Sequence, residues 1–209
     1  MNATPAGGGE CGSARPDFVA IAASGAITSG RTGIYEKHLS DMRGCYADGA
    51  AFDELVRIRG GETIVYRVEE NRVGDGSGAL IMGTSRLLPG KVGNEFAVTR
   101  GHLHMLADRA EVYYCISGTG VIHMDGPEGA SESIAIEPGQ AVHIPGGWVH
   151  RSVNVGNEPV VTIFVYPADA GQDYGLIEEA GGMSRLVVED GARWASVPNP
   201  AHVGYGGKV

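Results

Sequence analysis

From residue 63 onward the chain is a succession of short runs rich in β-branched and aromatic residues, each closed by Gly, Pro, Asp or Asn. Eight runs stand out, at residues 63–68, 79–82, 84–88, 112–116, 120–124, 133–136, 141–144 and 160–166. Their length and composition are those of strands. Thirty-four glycines keep tight turns well supplied. Strands at this spacing predict an all-β domain, a double-sheet jelly roll or barrel with a ligand site in its mouth.

Ahead of these strands the pattern differs. Residues 1–30 are rich in Gly, Ala, Ser and Pro and hold no periodicity, so they bury too little surface to offset ordering. A disordered tail is expected there, and no function is assigned to it. Between Ile34 and Arg57 the pattern is helical in places: Asp48 can cap a segment in which Ala51, Leu55 and Val56 share a side, which reads as a packing helix. Residues 31–200 are expected to form one domain with this short N-terminal helical and strand extension, and residues 201–209 a flexible tail.

The 209 residues are enough for a core without staples. Cys11, Cys45 and Cys115 form no Cys-x-x-Cys pair, so folding without disulfides is expected. No basic-then-apolar leader and no apolar run of about 18 residues is present, which points to a soluble cytoplasmic protein. The formal charge of −9 disfavours nucleic acid and anionic membranes as partners. It leaves room for a small anionic substrate, because a few local donors suffice; Arg100 and Arg151, each close to a histidine of interest, are candidates.

The chemistry concentrates in two segments. His102 and His104 would point the same way from an extended chain, since strand side chains alternate faces. Glu111 opens the run Glu-Val-Tyr-Tyr-Cys-Ile and can return a carboxylate to the same pocket, with Tyr113 on its own face; His150 is the candidate fourth ligand. Three imidazoles and one carboxylate suit one divalent cation of borderline hardness per chain, such as iron, manganese, nickel, cobalt or zinc. Tyr114 and Trp148 read as packing residues.

Gly139-x5-Pro145-x-Gly147-x2-His150-x3-Asn154 resembles the second conserved motif of the cupin superfamily residue for residue. The first cupin motif is present in His102-x-His104 and Glu111-x6-Gly118, but six residues separate His104 from Glu111 and Phe96 stands where Gly is expected. A longer loop of this kind is a mark of the cupin-type phosphoglucose isomerases of archaea and some bacteria. The chain resembles that family over about residues 34–200. Its opening is His38-Leu-Ser-Asp-Met-Arg-Gly-Cys-Tyr-Ala-Asp48, followed by Gly83-Thr-Ser-Arg-Leu-Leu-Pro-Gly-Lys-Val-Gly-Asn-Glu-Phe96, Thr99-Arg-Gly-His-Leu-His104, Trp148-Val-His-Arg151 and Val165-Tyr-Pro-Ala-Asp-Ala-Gly-Gln-Asp-Tyr-Gly175.

The resemblance implies a cupin jelly-roll barrel and a metal-dependent aldose–ketose isomerase that interconverts glucose 6-phosphate and fructose 6-phosphate, in glycolysis and gluconeogenesis. It implies a homodimer, formed by strands of the segment at about 34–70 adding to a partner's sheet. Carried over residue by residue, the phosphate contacts are Ser85, Thr99, Gly101 and Tyr166, and the other end of the pocket is Gln172, Asp173 and Tyr174. Glu111, Gln172 and Tyr174 are then the catalytic candidates, and Tyr113 a substrate contact. Two positions depart from the family. Gln172 replaces a histidine and can donate hydrogen bonds but exchange no proton near neutral pH. His143 replaces a tyrosine and reads as a histidine of the core or behind the ligands. These departures keep two alternatives open: a metal-dependent cupin enzyme of different chemistry (biosynthetic isomerase, epimerase, dehydratase or oxygenase), and a non-catalytic sugar-binding cupin.

Overall fold

Alternation decides which side chains of each strand enter the interior. The computed structural model describes residues 17–209. Its elements run β1 (Ala20–Ile21), β2 (Ile27–Ser29), β3 (Gly33–His38), α1 (Gly49–Arg59), β4 (Ile64–Arg72), β5 (Leu80–Leu87), β6 (Lys91–Val92), β7 (Glu95–Val98), β8 (Glu111–Ser117), β9 (Gly120–Asp125), β10 (Ser131–Ile136), β11 (Ala141–Ile144), β12 (Val149–Asn154), β13 (Val160–Pro167), α2 (Gly175–Glu179), β14 (Arg185–Asp190) and β15 (Arg193–Pro198). One sheet has the order β11-β8-β13-β5-β4-β3, and the other β10-β9-β12-β7-β14-β15 with β6 on β7. One apolar cluster holds Val68, Ile81, Leu87, Cys115 and Phe164 of the first sheet together with Ala97, Ile122 and Met124 of the second. Each large apolar side chain there contributes roughly 1.5–3 kcal/mol on leaving water. This is the all-β, cupin-type jelly roll that the sequence led us to expect.

Two of the expected runs are one strand. Gly83 sits in the middle of β5 because a Cβ there would run into the Phe164 ring and the Glu69 carbonyl, so the glycine marks a close approach and not a turn. The capping prediction holds: Asp48 Oδ1 accepts from the Ala51 amide at 2.9 Å, and α1 buries Phe52. Residues 33–38, by contrast, belong to a strand rather than to helical text.

Both expected tails need correction where they are described. Residues 1–16 lie outside the described residues. Residues 17–30 carry the β1–β2 ribbon, which lies against strands of the six-stranded sheet: the Ile27 amide donates to Glu69 Oε2 at 2.9 Å, and Asn71 Nδ2 donates to Asp17 Oδ2 at 2.8 Å. Hydrogen bonds to polar strand residues, together with the burial of Ile27 (4% exposed), hold this ribbon in place. At the other end, the Val203 amide donates to the Ala180 carbonyl at 2.9 Å and the Tyr205 hydroxyl to Asp125 at 2.6 Å. Tyr205 and Val209 also pack on a second apolar cluster around Leu103, Val149 and Met183. No helix among the described residues is long and apolar enough to cross a membrane.

Candidate metal centre and its pocket

Between the sheets lies a cavity of about 250 Å³. At its inner wall two chain segments meet: the His102 amide donates to the His150 carbonyl at 3.1 Å, and the His150 amide to the His102 carbonyl at 3.0 Å. Glu111 begins β8 in the facing sheet and shares its inward side with Tyr113 and Cys115, while Val112 and Tyr114 face out. His102, His104, Glu111 and His150 are all buried, and one ligand atom from each lies within 4.8 Å of the others. Glu111 Oε2 is 2.9 Å from His150 Nε2, 3.3 Å from His104 Nε2 and 3.8 Å from His102 Nε2.

The ring nitrogens facing away from this point are tied to backbone carbonyls. His104 Nδ1 donates to the Arg109 carbonyl at 2.8 Å and His150 Nδ1 to the Trp148 carbonyl at 3.0 Å. A carbonyl only accepts, so in each neutral ring the hydrogen is on Nδ1 and the lone pair on Nε2 faces the centre. Burial and the neighbouring His150 hold His102 well below the usual imidazole range, hence neutral. For His104, burial works downward, but the Glu111 carboxylate and the Arg109 carbonyl outweigh it and push the group up. Burial would raise the Glu111 carboxyl, yet the imidazoles of His104 and His150 beside it hold it at about 2. His104 Nε2 is buried with no hydrogen-bond partner among the described residues. An orphaned lone pair aimed at a carboxylate and two further imidazoles fits a divalent cation of borderline hardness.

With His102, Glu111 and His150, the candidates Ser85, Thr99, Gly101, Tyr113, Tyr166, Gln172 and Tyr174 line this cavity. Thr99 Oγ1 accepts from the Ser152 amide at 3.0 Å. Gly101 has φ +74°, and a Cβ would lie 2.8 Å from the His150 carbonyl oxygen; only glycine fits both conditions. The Tyr166 ring lies 5.5 Å from that of His104. The Tyr174 hydroxyl donates to Gln172 Oε1, which leaves the Gln172 amide nitrogen 3.4 Å from His102 Nε2. Burial pushes the hydroxyls of Tyr113, Tyr166 and Tyr174 up, and the Glu111 charge adds to this in each, so all three remain donors at neutral pH. Asp173 stands just ahead of α2 instead, its Oδ1 accepting from the Gly175 and Leu176 amides at 3.1 Å.

Two histidine and arginine expectations fail on strand parity. His143 is exposed between buried Val142 and Ile144 on β11 and does not belong to the pocket. Arg151 points opposite to His150 and donates to the Cys45 and Arg100 carbonyls at 3.3 and 3.0 Å. Arg100 does come close, its guanidinium 6.0 Å from the Tyr174 ring. Tyr35, Tyr66, Glu70, Arg72, Ser152 and Phe164 also line the cavity and were not singled out. The signal for three of them was the alternation Tyr66-x-Val68-x-Glu70-x-Arg72, readable once Val68 is placed opposite Ser85.

A family model described as glucose-6-phosphate isomerase (GPI) matches residues 36–201. A relative from Sinorhizobium medicae, named glucose-6-phosphate isomerase, is 48% identical over 172 residues, covering 82% of this chain and 80% of its own. One of the same name from Thermococcus gammatolerans is 44% identical over 190 residues, covering 89% of this chain and 96% of its own. Among solved structures, an oxalate oxidase superposes at a TM-score of 0.46, with 18% identity over 57% of this chain and 61% of that one.

Proposed function

The chain belongs to the cupin-type glucose-6-phosphate isomerase family, and from that premise we infer that it interconverts glucose 6-phosphate and fructose 6-phosphate as a metal-dependent enzyme. The observation that carries this reading is the family match over residues 36–201, inside which the buried His102, His104, Glu111 and His150 stand together.

These four residues would hold one divalent ion, which when bound supplies Lewis-acid polarisation of the sugar's carbonyl end. We take iron(II) as the resident ion, supported by the donor set of three nitrogens and one oxygen. The side chains divide the remaining work. Ser85, Thr99 and the Gly101 amide receive the phosphate with small donors, and Tyr166 contributes its hydroxyl, so an acidic protein can hold an anion without a crowd of cations. Glu111, ionised and turned with Oε2 toward the imidazoles, keeps Oε1 for the proton on C1 or C2. Tyr113 stays protonated and donates to an oxygen that gains charge, while Tyr174 commits its one hydroxyl hydrogen to Gln172 Oε1 and so orients that amide. Gln172, its carbonyl oxygen occupied by Tyr174, offers amide hydrogens where the family has an imidazole.

The exposed edge strand β3, with Ile34 and Tyr35 47% and 40% exposed, supports a homodimer that covers this edge. A charged sugar phosphate does not cross membranes unaided, which supports a cytoplasmic place in glycolysis and gluconeogenesis.

The test is coupled conversion of fructose 6-phosphate with and without chelator, together with metal analysis and light scattering of the purified protein. Chelator-sensitive turnover, bound iron and a dimer mass are expected. A folded, metal-loaded protein without turnover would favour the second reading, a cupin enzyme of different chemistry, for which Gln172 is the specific support.

A further inference from the structure

Between His104 and Glu111 the chain crosses from one ligand to the next on a six-residue loop whose residues 105–108 are exposed. Apolar burial does not fix its path. Directed contacts do. The Leu106 amide donates to the Ala170 carbonyl at 3.0 Å. The loop backbone at residues 107 and 108 lies so close to Gly146 that a Cβ there would not fit. Arg109 grips Asp169 with two parallel bonds, Nε to Oδ1 at 2.8 Å and Nη2 to Oδ2 at 2.7 Å. The carbonyl of this same Arg109 accepts from His104 Nδ1 at 2.8 Å.

We propose that the Arg109–Asp169 pair is a positioning device for His104: by fixing the Arg109 carbonyl, it holds the imidazole in the tautomer and orientation that present Nε2 to the ion. A guanidinium fork on a carboxylate defines direction as well as distance, which a lysine would not. The pair is partly buried, with 22% and 20% of the two side chains exposed, so beside any contribution to stability it decides where the carbonyl lies. Asp169 also belongs to the stretch that brings Gln172 and Tyr174 into the pocket, so the pair ties the ligand loop to that wall. This inference rests on the metal-site reading and is independent of which sugar is converted.

The test is Mn²⁺ titration calorimetry and the absorption spectrum with Co²⁺ on metal-stripped full-length protein. The variants are Arg109→Ala, Arg109→Lys, Asp169→Asn and, as control, Arg43→Ala from the surface pair with Asp53 (2.8 Å). Arg109→Ala and Asp169→Asn are expected to bind Mn²⁺ about 10- to 100-fold more weakly and to change the Co²⁺ spectrum. Arg109→Lys should fall between, and Arg43→Ala should match the parent, with circular dichroism alike throughout. Parental affinity and spectrum in both first variants overturn the proposal, as does a loss in Arg109→Ala that Asp169→Asn does not share. A parent protein that binds no Mn²⁺ also overturns it. Should Arg109→Ala not fold, Arg109→Lys and Asp169→Asn decide. Absence of fructose 6-phosphate turnover, with these binding results as expected, strikes the substrate reading alone.

Discussion

Glu111 Oε2 lies 2.9 Å from His150 Nε2, although 39 positions separate the two residues in sequence. Glu111 belongs to the six-stranded sheet and His150 to the seven-stranded one, so an ion held between them would join the sheets as well as serve the reaction. Loss of a ligand should therefore be read in stability as well as in activity.

For His104→Ala we expect metal occupancy to drop sharply in elemental analysis. In the parent, an ion at about 100 times its Kd adds about 2.7 kcal/mol to stability, so chelator should lower the parent's melting temperature and leave that of the variant unchanged. Stoichiometric metal in His104→Ala would sink the four-ligand assignment.

Gln172→His should raise turnover of fructose 6-phosphate, by up to about 10²-fold, the usual range for one proton-transfer group. The pH–rate profile of the variant should acquire a limb near the imidazole range, about 6.5, that the parent lacks. Equal turnover and equal profiles would show that position 172 takes no part in proton transfer.

Gly101→Ala puts a Cβ against the His150 carbonyl in a backbone conformation that side chains disfavour. Roughly 1–3 kcal/mol of stability should be lost to strain, and displacement of His150 should lower kcat by about 10²-fold. Thermal melts and steady-state kinetics check both; parental values of each would show that the wall gives way freely.

Asp125 is buried and accepts from the Ser184 amide at 2.7 Å, the Ser184 hydroxyl at 2.6 Å and the Tyr205 hydroxyl at 2.6 Å. Burial pushes its carboxyl up, but these bonds outweigh burial and hold it below its ordinary value. A depressed folded value means that the group's contribution is complete above the unfolded value of about 3.9 and is lost as the pH falls through the folded one. Asp125→Asn should cost roughly 2 kcal/mol at pH 7, and urea melts of parent and variant should draw together as the medium is acidified below about pH 4. A difference that stays constant with pH contradicts this account.

Strand parity alone pairs His102 with His104 and Glu111 with Tyr113, whereas His150 was legible only through the resemblance of its motif to the cupin superfamily. The cap of α1 was readable for an equally local reason. The same rule, applied to β11, would have turned His143 outward; it was overridden by comparison with a family tyrosine. Strand β12 was visible as a motif but not as a strand, because all six of its residues are buried and its polar members serve the pocket on one face and hydrogen-bonding partners on the other. The Arg109–Asp169 and Asp125–Tyr205 bonds join residues 60 and 80 positions apart, a relation that no local pattern encodes. The ribbon over Glu69 and Asn71 has no sustained apolar periodicity, because long-range hydrogen bonds and the single buried Ile27 hold it.

The bridge between His102 and His150 also has a consequence in time. Those two imidazoles come together only when the segment after β7 has paired beside β12, and Glu111 joins them only when β8 lies between β11 and β13. Pairings between such distant parts of a chain form slowly, and no short stretch carries all four donors. An ion held by these four side chains would therefore meet a pocket whose shape the paired sheets set, and rival cations would compete for that shape.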